Sequence, residues 1–297
     1  MDSILKKFLH MLKKVLNQTI TGNIWKFLLG SIGAICALLY FGKNFFEMHI
    51  IYSILLGISI LLVCFIIRFL YFLIKEISIF VHNTYVNSIW GEAIVDLKNA
   101  YAEINFLRKQ ENFNDHEFMS IMITFCDTLK NIFDRKTKAD CCVSIKVPTT
   151  VENASLETLE LRNLCRDSFH HNRDTEKYAK TKHSIIGNTP YRIIVNKILK
   201  QNSKNLAYVN NDINSSKDYD NSSKECYPNG ILPYSSELVF PIIPAKRDKT
   251  KNYKMNGFVC IDCNMKDKFD ETRYDIPMVE GIADGIYDII LKRNLIK

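Results

Sequence analysis

The chain has 297 residues, a net charge of +7, and 47% hydrophobic against 24% charged residues. That length allows one or two domains, and the modest charge, without a long basic and aromatic stripe, argues against DNA or RNA as a partner. The nine cysteines follow no even spacing, which fits reduced thiols in a cytosolic compartment better than a disulfide framework.

Residues 1–22 read as a basic amphipathic arm. Ile4, Leu5, Phe8, Met11, Leu12, Val15 and Leu16 share one helical face. Lys6, Lys7, Lys13 and Lys14, with His10 and Asn17, share the other. Such a helix suits the surface of an anionic leaflet, where those four lysines would contact lipid headgroups. The same segment also reads as a membrane-proximal flank that never orders.

Two apolar runs follow, Phe27 to Phe41 and Ile50 to Ile67, within residues 24–75. A spanning helix needs about 20 mostly apolar residues. The second run meets this with one charge, Arg68, near enough to its end to snorkel. The first is shorter and spans with Trp25 and Lys26 at one interface and Phe45 and Phe46 at the other. Gly30 and Gly33 give it a small face for a neighbouring helix. No small-x-small cleavage site follows Tyr40, so the run reads as retained. The pair predicts a transmembrane helical hairpin in the cell (inner) membrane. The lysines of the arm put both termini in the cytoplasm.

Residues 76–112 form the connector. Val86, Trp90, Ala93, Leu97, Ala100, Ile104 and Leu107 step by four and three, the heptad spacing of a coiled coil. The seam predicts either a homodimer stalk or packing against the next helix in the same molecule. That next helix begins after Asn114 or Asp115, both good caps. It carries Phe118, Ile121, Met122, Phe125, Leu129, Ile132 and Phe133 on one side.

Residues 113–297 predict a cytosolic α+β domain. Cys141 to Val147 reads as a strand. Leu156 to Cys165 fits a strand or a helix. Pro190 to Leu199 reads as a helix with proline in its first turn, and Leu206 to Val209 as a short strand. Asp212 to Asn229 is loop in composition. Glu237 to Ile243 and Gly257 to Cys263 are strands joined by a basic stretch that holds Lys246, Arg247, Lys249, Lys251 and Lys254. An amphipathic helix from Tyr274 to Leu291 closes the chain.

The order Tyr234-Ser235-Ser236-Glu237-Leu238-Val239-Phe240-Pro241-Ile242, then Gly257-Phe258-Val259-Cys260-Ile261-Asp262, then Phe269 and a helix with Ile282-Ala283-Asp284, resembles the C-terminal half of a GAF domain. In that family a strand ends in Val-Pro-Ile, the next begins Gly-x-Leu, and a helix closes the fold. Here Phe240 precedes Pro241, and Val259 replaces the leucine. Upstream, His183 to Gly187 and Asn210 to Asp212 sit where the family has its helix and the loop over its pocket. The resemblance spans residues 114–293 and is specific over the last sixty. It implies a GAF-like antiparallel sheet flanked by helices, used as a sensory or dimerisation module, with a small molecule such as a cyclic nucleotide among its ligands. By the family's pocket geometry it nominates Tyr191, Arg192, Asn211, Asp212, Tyr234 and Ser235 as ligand-binding residues.

Catalytic signatures do not emerge. No Gly-rich phosphate loop, Gly-x-Ser-x-Gly or His-Glu-x-x-His occurs, and no nucleophile has a base beside it in sequence. Cys260 and Cys263 lie on one strand, with side chains expected on opposite faces, and no second pair completes a zinc set. His170, His171 and His183 sit in a polar stretch and read as surface histidines. The expectation is therefore no enzyme, no catalytic residue and no metal, with the cofactor unknown. The sequence reads as a membrane-anchored sensor or scaffold that binds a small ligand or protein. The alternatives are a ligand-gated two-span effector of a bacterial defence or stress system, and an enzyme with an unrecognised site.

Overall fold

A computed structural model describes residues 2–21, 50–110, 114–149, 158–173, 181–200, 205–245, 255–271 and 274–296, with Gly30, Gly33, Cys36, Ala37 and Tyr40 between the first two segments. Most of the first predicted span and the basic stretch 246–254 lie outside the described residues. The chain divides into two compact units, residues 1–88 and 89–297.

The first unit holds α1 (Asp2–Thr21) and most of α2 (Ile50–Lys109). Along α2, Tyr52, Leu55, Leu62, Ile67 and Ile74 are exposed, as apolar side chains facing lipid would be. Among the described residues one helix is long and apolar enough to cross a membrane. Of the predicted two-helix hairpin, the second span is therefore described, and most of the first lies outside the described residues. Val15 and Thr19 of α1 are buried, and Lys14 reaches Glu76 at 2.8 Å. Lys13 is exposed.

The second unit begins with the last turns of α2. Its predicted heptad seam is filled from the same chain. Ala100, Ile104 and Leu107 join Phe118, Met122, Phe125 and Leu129 of α3 (Asp115–Thr137) and Val279, Ile282 and Ile286 of α5 (Asp275–Ile296) in one core. Arg135 of α3 pairs with Glu92 at 2.9 Å and with Asp96. The α3 start is set by Asn114, whose side chain accepts the Glu117 N–H at 2.7 Å. Its end is set by Lys138 in the left-handed conformation, φ 53°.

The strands are β1 (Cys141–Pro148), β2 (Glu160–Arg166), β3 (His183–Ser184), β4 (Tyr208–Asn210), β5 (Ser236–Pro241) and β6 (Phe258–Cys263). They form one six-stranded antiparallel sheet in the order β3-β2-β1-β6-β5-β4. Of the stretch from Leu156 to Cys165, open between helix and strand in the sequence, residues from Glu160 on are strand. Helices α3 and α5 cover one face, and α4 (Thr189–Lys200) packs on the other. This antiparallel sheet, with its helices and terminal strand order, is GAF-like. Gly257 opens β6 at φ +134°, where an added Cβ would lie 1.9 Å from the Lys146 carbonyl oxygen. Glycine is therefore required at the position where the family's strand begins with it.

Candidate functional site

Successive strand residues point to opposite faces. In β1 every residue is buried, although the sequence alternates apolar and polar. Cys141, Val143, Ile145 and Val147 join the core under α3 and α5. Cys142, Ser144 and Lys146 face the other way. The register places Ser144 opposite Arg166 and Cys260, and Asp262 opposite both Cys142 and Glu237. Directly paired residues share a face. Ser144, Lys146, Arg166, Glu237, Cys260 and Asp262 therefore converge, and they line one enclosed space with Tyr191, Asn221, Ser223, Tyr227 and Tyr234.

A lid covers this face. Tyr191, Ile194 and Val195 of α4 pack on Leu161, Val239 and Phe258. The Tyr191 ring lies 4.6 Å from that of Phe258, and its hydroxyl lies 3.7 Å from Cys260 Sγ. The segment from residue 211 to 235 folds into short 3-10 turns around Ile213, Tyr219, Leu232 and Tyr234. Asn221 Nδ2 donates to the Tyr219 hydroxyl at 2.8 Å and to the Tyr234 hydroxyl at 2.9 Å. The Ser222 hydroxyl donates to Asn188 Oδ1 at 3.1 Å and meets His183 Nδ1 at 2.7 Å. Since the hydroxyl proton is committed to Asn188, His183 Nδ1 is the donor of that pair. These bonds tie the lid to β3 and to the start of α4.

Two buried cations, Lys146 and Arg166, thus share a low-dielectric space with the buried carboxyl of Glu237 and the half-buried one of Asp262. Burial, reinforced by Asp262, pushes the Glu237 carboxyl up to about 8. Glu237 is 2% exposed. The Tyr219 hydroxyl bonds its carboxyl, but Oε1 has no hydrogen-bond partner among the described residues. Burial also raises Asp262, against the pull of Arg166 and Arg173. Burial, with Lys146 and Arg166 nearby, pushes the His183 imidazole down to about 3. The groups leave about 20 Å³ of free room, about enough for one water.

Of the residues nominated by the family resemblance, Tyr191 and Tyr234 line this chamber. Arg192 is half-buried on α4, and its backbone N–H bonds Asn188 O at 3.0 Å. Asn211 holds the Phe269 backbone, donating to its oxygen at 2.9 Å and accepting from its N–H at 3.0 Å. Asp212 caps the turn at Ser215 and pairs with Lys266 at 2.8 Å. The Ser235 backbone bonds Ile213 and Cys263. The chamber's charged residues, Lys146, Arg166, Glu237 and Asp262, escaped sequence reading. The available signal was a lysine or glutamate inside a strand otherwise rich in Val, Ile and Cys.

One further expectation, that the three histidines lie on the surface, is corrected. Of the three histidines, His170 and His183 are buried, at 8% and 0% exposure, and His171 is on the surface. A metal-type donor set also exists. The ligand atoms of Cys142, Asp167 and His170 lie within 4.8 Å of one another. Asp167 is fully buried and accepts the Val143 N–H at 2.9 Å and the His170 N–H at 3.1 Å. Burial opposes its ionisation, but the bonds from His170 and Val143 hold its carboxyl below the ordinary value. Cys260 and Cys263 point to opposite faces as expected, one in the lid-side cluster and one in the helix-side core. All nine cysteines are free.

No family model matches the sequence, and no characterised protein sequence resembles it closely enough to count. Solved structures do resemble it. The GAF domain of an Acinetobacter phosphoenolpyruvate-protein phosphotransferase is 11% identical with a TM-score of 0.41, covering 69% of this chain and 95% of that one. A free methionine-R-sulfoxide reductase from Neisseria meningitidis is 12% identical with a TM-score of 0.40, covering 69% and 94%. The GAF-B domain of DevS from Mycobacterium smegmatis is 12% identical with a TM-score of 0.32, covering 59% and 98%. The strand order and helix placement above carry the fold assignment. The expectation that the chain is no enzyme is corrected by the reductase, an enzyme of this fold. GAF-like architecture gives no ground for excluding catalysis.

Proposed function

We propose that the chain is a membrane-anchored sensor whose cytosolic GAF-like domain closes a charged chamber around a small polar ligand. The observation that carries this reading is Glu237 Oε1, buried and without a partner among the described residues. A buried polar atom left unpaired costs about 1–3 kcal/mol, and a ligand N–H facing it would recover that cost. Lys146 and Arg166 on the same face suit an acidic group at the ligand's other end. The closed chamber holds about one water, so ligand entry displaces the lid from residue 211 to 235. Tyr191 and Tyr234 would wall the ligand, and Arg192, Asn211, Asp212 and Ser235 would act at the lid's margin.

The exposed apolar stretch of α2 supports the membrane anchor. The inner membrane, a cytoplasmic placement of both termini and lipid contacts of Lys6, Lys7, Lys13 and Lys14 belong to the same proposal. A homodimer through the connector would use the exposed Ile94, Val95 and Phe106 of α2, because the heptad seam is filled from the same chain.

The test is thermal unfolding of the full chain in detergent against cyclic nucleotides, amino acids and other small zwitterions. A ligand that binds only the folded state adds about 2.7 kcal/mol at a hundredfold excess over its dissociation constant. A raised midpoint that disappears in Glu237→Gln supports the reading. A flat response across the panel argues instead for a protein-docking domain.

A further inference from the structure

We propose that Cys142, Asp167 and His170 form a binding site for a soft divalent cation, with zinc the best match. None of the three lines the Glu237 chamber, so the inference stands apart from the ligand reading above.

The fold builds the trio from three adjacent pieces. Strand alternation puts Cys142 on the lid side of β1. Asp167 follows directly after β2 and is locked in place by backbone bonds in both directions with Val143. Its N–H donates to Val143 O at 3.0 Å, and its Oδ2 accepts the Val143 N–H at 2.9 Å. His170 sits in the 3-10 turn Ser168–Arg173, with Nδ1 2.8 Å from Asp167 Oδ1.

Thiolate, imidazole and carboxylate are the donor types zinc selects. Zinc–ligand bonds of about 2.0–2.3 Å place tetrahedral ligand atoms roughly 3.3–3.8 Å apart. The three atoms here, all within 4.8 Å of one another, reach that spacing with small side-chain adjustments. All three residues are buried, unlike the exposed acidic clusters common on protein surfaces.

The surroundings have the form of an outer shell. A metal-bound histidine usually donates its other ring N–H to a carboxylate. His170 Nε2 lies 3.1 Å from Asp140 Oδ2, and Asp140 is itself held by Lys130 Nζ at 3.0 Å. Without the ion, Nδ1–H donates to Asp167 Oδ1; with Nε2–H kept on Asp140, loss of that Nδ1 proton would free both lone pairs for a cation, the two atoms moving apart to receive it. Arg166 Nη1 lies 2.9 Å from Cys142 Sγ and would donate to the thiolate. Beside His170, a cavity of about 430 Å³ lined by Asp140, Arg173, Cys226 and Tyr227 gives the ion a way in and leaves a fourth coordination position open. On binding, the Cys142 thiol proton and any proton on His170 Nδ1 pass to solvent, and the metal takes their place.

The test is titration of the full chain in detergent with Co²⁺, then displacement by Zn²⁺. The expected result is one equivalent bound, with a thiolate-to-cobalt band in the near ultraviolet and the visible spectrum of a four-coordinate ion. Cys142→Ser abolishes the near-ultraviolet band. Asp140→Asn, which changes only the outer shell, weakens binding about 10- to 100-fold. Cys126→Ala, on the opposite side of the sheet, keeps the band. As a readout independent of variant folding, Zn²⁺ raises the wild-type unfolding midpoint and a chelator reverses the rise. Absence of a cobalt band and of a zinc-dependent midpoint shift in the wild type would overturn the proposal. So would a band that persists in folded Cys142→Ser. Either result would leave the trio as a hydrogen-bonded strut.

Discussion

The two faces of the sheet use the same strands for opposite ends. On the helix side, Val143, Ile145, Leu238, Phe240 and Ile261 meet α3 and α5 in a dry core. On the lid side, Lys146, Arg166, Glu237 and Asp262 are enclosed by a layer of short turns. The first face is stabilised by apolar area removed from water. The second works against stability, because buried charge is costly even when paired. Under the proposed ligand reading, that cost is offset when a ligand reaches Glu237 Oε1, which has no partner among the described residues.

The contrast predicts opposite signs for substitutions on the two faces. Ile145→Ala, on the helix side, should cost about 3 kcal/mol as a large-to-small core change, read from the shift in a denaturant midpoint. A cost near zero would mean that the helix-side core is not packed as described.

Glu237→Gln should be stabilising, and its effect should depend on pH. Folded Glu237 keeps its proton up to about 8, whereas the ordinary carboxyl releases it near 4.5. Between those values the native state holds more protons than the unfolded one, so stability falls as pH rises through the window. Glutamine removes that fall. The gain should be near zero at pH 4 and about 2–4 kcal/mol at pH 8. A constant difference across the range would show that Glu237 titrates normally.

His183 gives the reverse slope. Its folded value, about 3, lies below the ordinary 6.5, so its contribution is present above 6.5 and is lost as pH falls toward 3. His183→Gln should lower stability at neutral pH through the lost Ser222 contact. It should also flatten the acid limb by about 2–3 kcal/mol relative to wild type, measured by unfolding at pH 6.5 and pH 4. Parallel acid limbs would show that the imidazole is not desolvated by the lid.

The smallest effect lies outside both faces. Asn114→Ala removes the α3 cap and should cost about 1 kcal/mol, read from the same denaturant midpoint. No loss would show that the Glu117 N–H finds water as readily.

Much of the fold was legible because its signals are local. The Asn114 cap, the Val-Ser-Ile-Lys-Val alternation of β1, the apolar runs of β5 and β6, Pro190 in the first turn of α4 and the spacing of Ile282, Ile286 and Ile289 each mark their own element. The heptad of α2 was equally legible as a seam. What it packs against was not, since a coiled-coil partner and an intramolecular helix ask for the same residues. The site was legible only in its aromatic walls, Tyr191 and Tyr234. Lys146, Arg166, Glu237 and Asp262 come together through strand register between segments as much as about 120 residues apart, and no local pattern encodes that. His170 and His183 misled because a polar neighbourhood in sequence became a buried one once the lid closed. The Cys142, Asp167 and His170 trio has no metal-site spacing, since a β-strand, its neighbour and a turn supply one residue each.

The most direct test of the central claim compares ligand-induced stabilisation across the two faces. The compound giving the largest midpoint shift with wild type would be titrated against Glu237→Gln and against Ile145→Val, a mild helix-side change. The account predicts a shift that is kept in Ile145→Val and lost in Glu237→Gln. An equal shift in all three proteins, or none in the wild type, would contradict the assignment of the lid face as the ligand chamber.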